Sequence, residues 1–234
     1  CCYVTAGQGL EIGSFRLPVF RLLLLIGLIR VMLRRESIVG GFTKIDRLML
    51  AWCAWTIFAS LFQPQLPGSG LKYNVGAVFN VAGVYFLIRS LCRDTQEVAK
   101  MLGLVGVILL PVAIAMVFEH ISNRNVFAAF GGVPEIPDFR NGRIRAQGPF
   151  NHAILAGTVG AACLPFAISI WSRHRIHAAI GVVACFVMVA ACSSSGPILS
   201  LLVALFGIGM WRYRRHCGKL RKLAIACYFL LMLV

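Results

Sequence analysis

The sequence predicts an all-α fold, a polytopic transmembrane helix bundle of about eight spans with the last one incomplete, and three observations predict it. Of 234 residues, 59% are apolar and 13% charged, and the mean hydropathy is +0.82. Ordinary soluble domains are about 45–50% apolar and about 25% charged, so a water-soluble globule is excluded. The apolar residues recur in runs close to the roughly 20 helical residues that a hydrocarbon core needs. Lys and Arg gather in alternate connections between those runs, the bias expected of a multi-pass chain.

Taken in order, the runs lie at about Leu17–Leu33, Leu48–Phe62, Tyr73–Ile88, Met101–Phe118, Phe150–Trp171, Ala178–Cys192 and Gly196–Trp211, with an eighth from Leu223 to the end. Several are short for a straight span and are expected to borrow Trp, Tyr or Arg at their ends. Arg21 and Arg30 interrupt the first run; their long stems are expected to carry the charge to an interface. The fifth run carries Ala156, Gly157, Gly160 and Ala161, a pattern of small residues that permits close helix contact. Ser193–Ser195 reads as a polar break between two helices, because neither GxSxG nor an adjacent base accompanies it. Cys53, Cys92, Cys163, Cys185, Cys192 and Cys227 lie in or beside the runs with no CxxC, and read as small hydrophobes. The chain opens Cys1-Cys2 without a Met, and its last run is only about half a span. It is expected to be one membrane domain, 1–234, forming the N-terminal part of a longer protein.

The connections Arg34–Arg47, Arg89–Lys100, Ser172–His177 and Arg212–Lys222 together hold 15 Lys and Arg, against 6 in the opposite set. The first set is therefore expected to be cytoplasmic, which sets His174, His177 and His216 aside as cytoplasmic. Four of the six basic residues on the other side sit in a single connection, His120–Pro149, the longest in the chain. Connections beyond about 12 to 15 residues are often functional. This one has turn signals at Gly131, Gly132, Pro134 and Pro137, two acids at Glu135 and Asp138, and then Arg140, Arg143 and Arg145 just before Gly148-Pro149. Arg spaced by three and two can converge on one anionic group, and guanidinium suits phosphate through parallel, charge-strengthened hydrogen bonds. The competing reading is that these arginines hold lipid headgroups, or pair with Glu135 and Asp138. Asn151 and His152 are expected to open the next helix, whose N-terminus would add partial positive charge beside the arginines.

The stretch Arg145-Ala146-Gln147-Gly148-Pro149-Phe150-Asn151-His152-Ala153-Ile154-Leu155-Ala156-Gly157 resembles the start of the core motif of the O-antigen ligase and polymerase family. It keeps Arg145, Gly148, Phe150 and His152, with Ala153 where that family often has Pro; the core region would run over 145–212. A second family motif, a small-polar run ending in Ser-Arg-Gly, corresponds to Ser193-Ser194-Ser195-Gly196, with Ser195 in place of Arg. The resemblance implies a multi-pass enzyme of the bacterial inner membrane with its active face in the periplasm, which puts 120–149 in a periplasmic loop. Such an enzyme moves a glycan from an undecaprenyl diphosphate carrier to a saccharide or lipid-linked acceptor without a metal or other cofactor, as a ligase or a polymerase.

On that reading Arg145 is the first candidate catalytic and substrate-binding residue, with Arg143, Arg140 and Gly148 as further substrate contacts. The resemblance puts the general base on a His in a later outer loop, so these 234 residues are expected to be inactive alone. His152, His120 and Glu119 are the local candidates for a base, each set against an interfacial or capping role; Glu119 could instead pair with an arginine of the same loop. No HExxH, P-loop, GxGxxG or nucleic-acid module is present, which leaves metal, nucleotide and nucleic-acid chemistry without support. The alternative is a transporter or flippase for a lipid-linked or anionic solute, for which charges at the span centres are expected. A purely structural membrane subunit would need no Arg-rich outer loop.

Overall fold

The computed structural model describes residues 3–5, 7–12, 15–36, 38, 40–62, 69–140 and 142–213, together with 218, 222 and 225–228. It is an all-α protein: α1 (Val19–Leu33), α2 (Lys44–Ser60), α3 (Ser69–Leu91), α4 (Thr95–Ser122), α5 (Ala153–Ser169), α6 (Arg175–Ala191) and α7 (Ser195–Arg212). Each of the first seven apolar runs coincides with one helix. The eighth, from Leu223, falls outside the described residues except for 225–228, which are helical. Two short antiparallel hairpins that the apolar pattern does not announce complete the description, β1 (Gly9–Ile12) with β2 (Phe15–Pro18) and β3 (Asp138–Arg140) with β4 (Arg143–Arg145).

Length separates the helices. Only Gly70–Leu91 of α3 and the 28 residues of α4 are long and apolar enough to cross a membrane by length and composition, among the described residues. The others have 15 to 18 residues, which at 1.5 Å per residue span about 22 to 27 Å, short of a hydrocarbon core of roughly 30 Å.

The chain divides into two compact units, the first made of Tyr3–Met101 with Phe130–Gly132 and the second of Leu102–Ala129 with Val133–Val234. In the first, α3 packs on α1 and α2. Leu24 is buried where Gly83 leaves it room, since a Cβ there would stand 2.7 Å from its Cδ2. Arg21 is tied to α3: its Nε donates to Asn80 Oδ1 at 3.1 Å. A side chain at position 76 would collide with this guanidinium, and Gly76 supplies none. The start of α2 is a capping box, Thr43 with Asp46. Thr43 donates to Asp46 through Oγ1 at 2.7 Å and through its N–H at 2.6 Å, and Tyr85 OH and the Arg89 guanidinium complete the ring. These bonds, Thr43's first, hold the Asp46 carboxyl well below the usual carboxylate range.

The second unit is built on α5. Its small-residue stripe is the contact that its spacing predicts: Ala156, Gly157, Gly160 and Ala161 are all buried, and α5 packs on both α6 and α7. The approach leaves no room for a methyl group. A Cβ on Gly157 would collide with Cys192 Sγ and lie 2.7 Å from Pro197 Cβ; one on Gly160 would lie 2.9 Å from the Cys185 carbonyl oxygen. Cys185 and Cys192 are free thiols inside this core. α4 enters the same core through Leu109, Val112, Ala113 and Met116.

Candidate functional site

The connection after α4 is folded rather than loose. A 3-10 helix, Val126–Phe130, and the β3–β4 hairpin lie within it. Asn141-Gly142 between two short apolar-basic runs is the hairpin signal in the sequence, and Gly142 takes the left-handed backbone such a turn asks for, at φ +73. The register sets Arg140 opposite Arg143 and Asp138 opposite Arg145. Like charges facing each other across two strands are destabilising, and the Arg140 and Arg143 guanidinium groups have no carboxylate partner among the described residues.

All three arginines line one cavity of about 600 Å³, and its opposite wall is Ser193, Ser194 and Ser195. Two features bring the walls together. Ala146 N–H donates to the Ala191 carbonyl at 3.1 Å, tying the end of β4 to the end of α6. The chain then turns through Ser193 at φ +46, so that Ser194 caps α7 and Ser195 opens it at the cavity. The Ser194 hydroxyl makes no capping bond; it accepts from Arg145 Nη2 at 3.4 Å. The serines that read as a plain helix break in the sequence are thus half of the site. α5 opens where the sequence placed it, at Ala153 with His152 as its N-cap, but none of its residues lines the cavity; the helix start at the cavity is that of α7.

Arg145 is the buried member of the three, with 11% of its side chain exposed, and its Nη1 donates to Asp138 Oδ2 at 3.0 Å. The pairing with Asp138 that the sequence left open therefore holds for Arg145. Arg140 and Arg143 are exposed at the rim. Gly148 and His152 are not among the lining residues. His152 is exposed and caps α5 through backbone position alone, with no side-chain bond. Gly148 is buried at φ +57.

Glu119 pairs with no arginine among the described residues. It is 1% exposed near the end of α4 and accepts two backbone N–H bonds, from Gln147 at 3.1 Å on Oε1 and from Gly148 at 2.8 Å on Oε2. Because those donors lie two and three residues past Arg145, the carboxylate holds the turn that follows it. Asn125 holds the other side of that turn: its Nδ2 donates to the Gly148 carbonyl at 2.8 Å, and its own N–H donates to the Glu135 carbonyl at 2.8 Å. A side chain paired to backbone 28 residues away leaves no pattern of residue types, so spacing in the sequence could not reveal it.

A smaller, mostly apolar groove of about 280 Å³, lined by Val117, His120, Ile121, Val187, Ala190 and Ala191, shares Ala190 with the arginine cavity. His120 belongs to this groove and not to the cavity, and its Nδ1 is buried without a hydrogen-bond partner among the described residues. Among the described residues, no three His, Cys, Asp or Glu side chains gather in a way that could hold a metal ion. Comparison with protein-family models, with curated proteins and with solved structures returns no match in any of the three.

Proposed function

We propose that the protein is a membrane enzyme that transfers a glycan from an undecaprenyl diphosphate carrier to an acceptor sugar, as a ligase or polymerase, on the periplasmic face of a bacterial inner membrane. The observation that carries this reading is the cavity shared by Arg140, Arg143 and Arg145 with Ser193–Ser195. Arg145, the first residue of one stretch that resembles a family motif, and Ser193–Ser195 of the other lie about fifty residues apart in the chain and line one anion-suited space. The adjoining groove supports the same reading, because a lipid-linked diphosphate needs an apolar channel beside a cationic one. So do the outward apolar stripes, such as Leu199, Val203 and Phe206 on α7 and Leu48, Trp55 and Phe62 along and just past α2, which suit contact with lipid.

In the proposed reaction an acceptor hydroxyl oxygen attacks the anomeric carbon of the donor sugar. The bond from that carbon to the diphosphate oxygen breaks, and the hydroxyl proton leaves to a base. Charge builds on the departing diphosphate, and a guanidinium already fixed by Asp138 and Ser194 can meet it with little reorganisation. The test is glycan transfer by full-length variants at matched membrane abundance. Loss of one such donor typically costs about 10²- to 10³-fold in rate, and Arg145→Ala is expected in that range. Arg145→Lys is expected to stay impaired, because it keeps the charge without the fork, and rim variant Arg140→Ala is expected to be milder. Full activity in Arg145→Lys, with Arg145→Ala no worse than Arg140→Ala, would remove Arg145 from the site.

A further inference from the structure

The geometry points to Glu119 as the positioning residue of Arg145: its buried carboxylate grips the Gln147-Gly148 backbone and so fixes where the guanidinium enters the cavity. This rests on the reading of the cavity as a diphosphate site. Each oxygen of Glu119 takes one N–H, at 3.1 and 2.8 Å, an arrangement that an ionised carboxylate serves because both its oxygens accept. No cation neutralises it among the described residues, and a carboxylate this deeply buried is costly unless it is well bonded. Glycine suits the turn being gripped at position 148. Its φ of +57 is left-handed, and a Cβ there would sit 3.1 Å from Met116 Cγ, on the same helix as Glu119. From this anchor the chain runs back through Ala146, whose N–H is held by Ala191, to Arg145. With both anchors in place, Arg145 can keep its guanidinium against Ser194 and Asp138 although it stands on a three-residue strand. Misplacement of a catalytic group by about 1 Å can cost about 100-fold.

Glu119→Gln is nearly isosteric, yet it can accept only one of the two N–H groups and turns an NH₂ toward the other. Gly148→Ala disturbs the same turn from the opposite side without touching the carboxylate. The probe is inorganic pyrophosphate, titrated onto the full-length protein in detergent or lipid discs, with Kd and binding stoichiometry both read. Glu119→Gln and Gly148→Ala are each expected to raise Kd by about ten- to a hundredfold at undiminished stoichiometry. A merely structural defect would lower the number of sites and leave the Kd of the rest unchanged. In an Arg145→Ala background neither change is expected to raise Kd further, because both act through the same guanidinium. A Kd unchanged in Glu119→Gln and Gly148→Ala while Arg145→Ala loses binding would overturn the positioning role, as would effects that multiply with Arg145→Ala. If Glu119→Gln does not fold, Gly148→Ala decides alone. Wild-type affinity in Arg145→Ala would instead defeat the diphosphate reading itself.

Discussion

Replacing Asp138 with Asn is expected to tighten the binding of an anion in the arginine cavity. Asp138 holds Arg145 at 3.0 Å, and its own side chain is 62% exposed while that of Arg145 is 11% exposed. Asp138 lies 3.0 Å from the Arg145 guanidinium, and a diphosphate oxygen bonded to the other side of that group at about 3 Å would stand about 6 Å from the Asp138 charge. At that distance a pair of unit charges repels by about 0.7 kcal/mol in water and about 3 kcal/mol at an effective dielectric of 20. The exposure of Asp138 puts the value toward the lower end, about 1 kcal/mol, or about fivefold in Kd. The cost to the fold is expected to be under about 1 kcal/mol, as for other partly exposed pairs. Pyrophosphate titration of wild-type and Asp138→Asn protein at low and high salt would measure it, and the gain is expected to shrink as salt screens the charges. A Kd about tenfold weaker in Asp138→Asn would refute the reasoning, because the orienting of Arg145 by Asp138 would then outweigh its repulsion of the ligand.

Three further outcomes are expected. Gly157→Ala should destabilise the second unit by about 1–3 kcal/mol through overpacking against Cys192 and Pro197, whereas Gly207→Ala on α7, with open space around it, should be neutral or slightly stabilising; thermal unfolding of the two variants compares them. Asp46→Asn should be less stable than wild type at neutral pH. Because the Asp46 carboxyl is lowered on folding, its contribution is complete above the unfolded value near pH 4 and fades as pH falls below it; a stability gap that stays constant from pH 7 down to pH 3 would contradict this. Asn125→Ala removes the donor to the Gly148 carbonyl and should weaken pyrophosphate binding in the same direction as Gly148→Ala, read by the same titration.

The helices were legible because apolar runs of helical length admit few alternatives, and α1, α6 and α7 begin and end within about three residues of the runs that announce them. α4 overran its expected start at Met101 and its end at Phe118 because its polar ends carry the helix too. At the N-terminal side, Asp94 accepts from the N–H groups of Gln96 and Glu97, both at 2.7 Å. At the other end the helix continues through Glu119, whose polarity hid that it is buried. In the site, the convergence of Arg140, Arg143 and Arg145 was legible from their spacing of three and two, and the register of β3 on β4 brings them together. The serine wall was not, because it depends on the end of α6 meeting the end of β4 through one backbone bond. Gly148 entered as a substrate contact through the resemblance; in the structure its N–H and carbonyl are both engaged, by Glu119 and Asn125.

The measurement that tests the proposed function most directly is the fate of an undecaprenyl diphosphate-linked glycan given to the full-length protein in sealed vesicles with and without an acceptor saccharide. The account predicts acceptor-dependent release of undecaprenyl diphosphate together with a new glycosidic bond, insensitive to chelator and lost in Arg145→Ala. Movement of the intact donor from one leaflet to the other, with no bond made and no carrier released, would contradict it and assign the arginine cavity to transport.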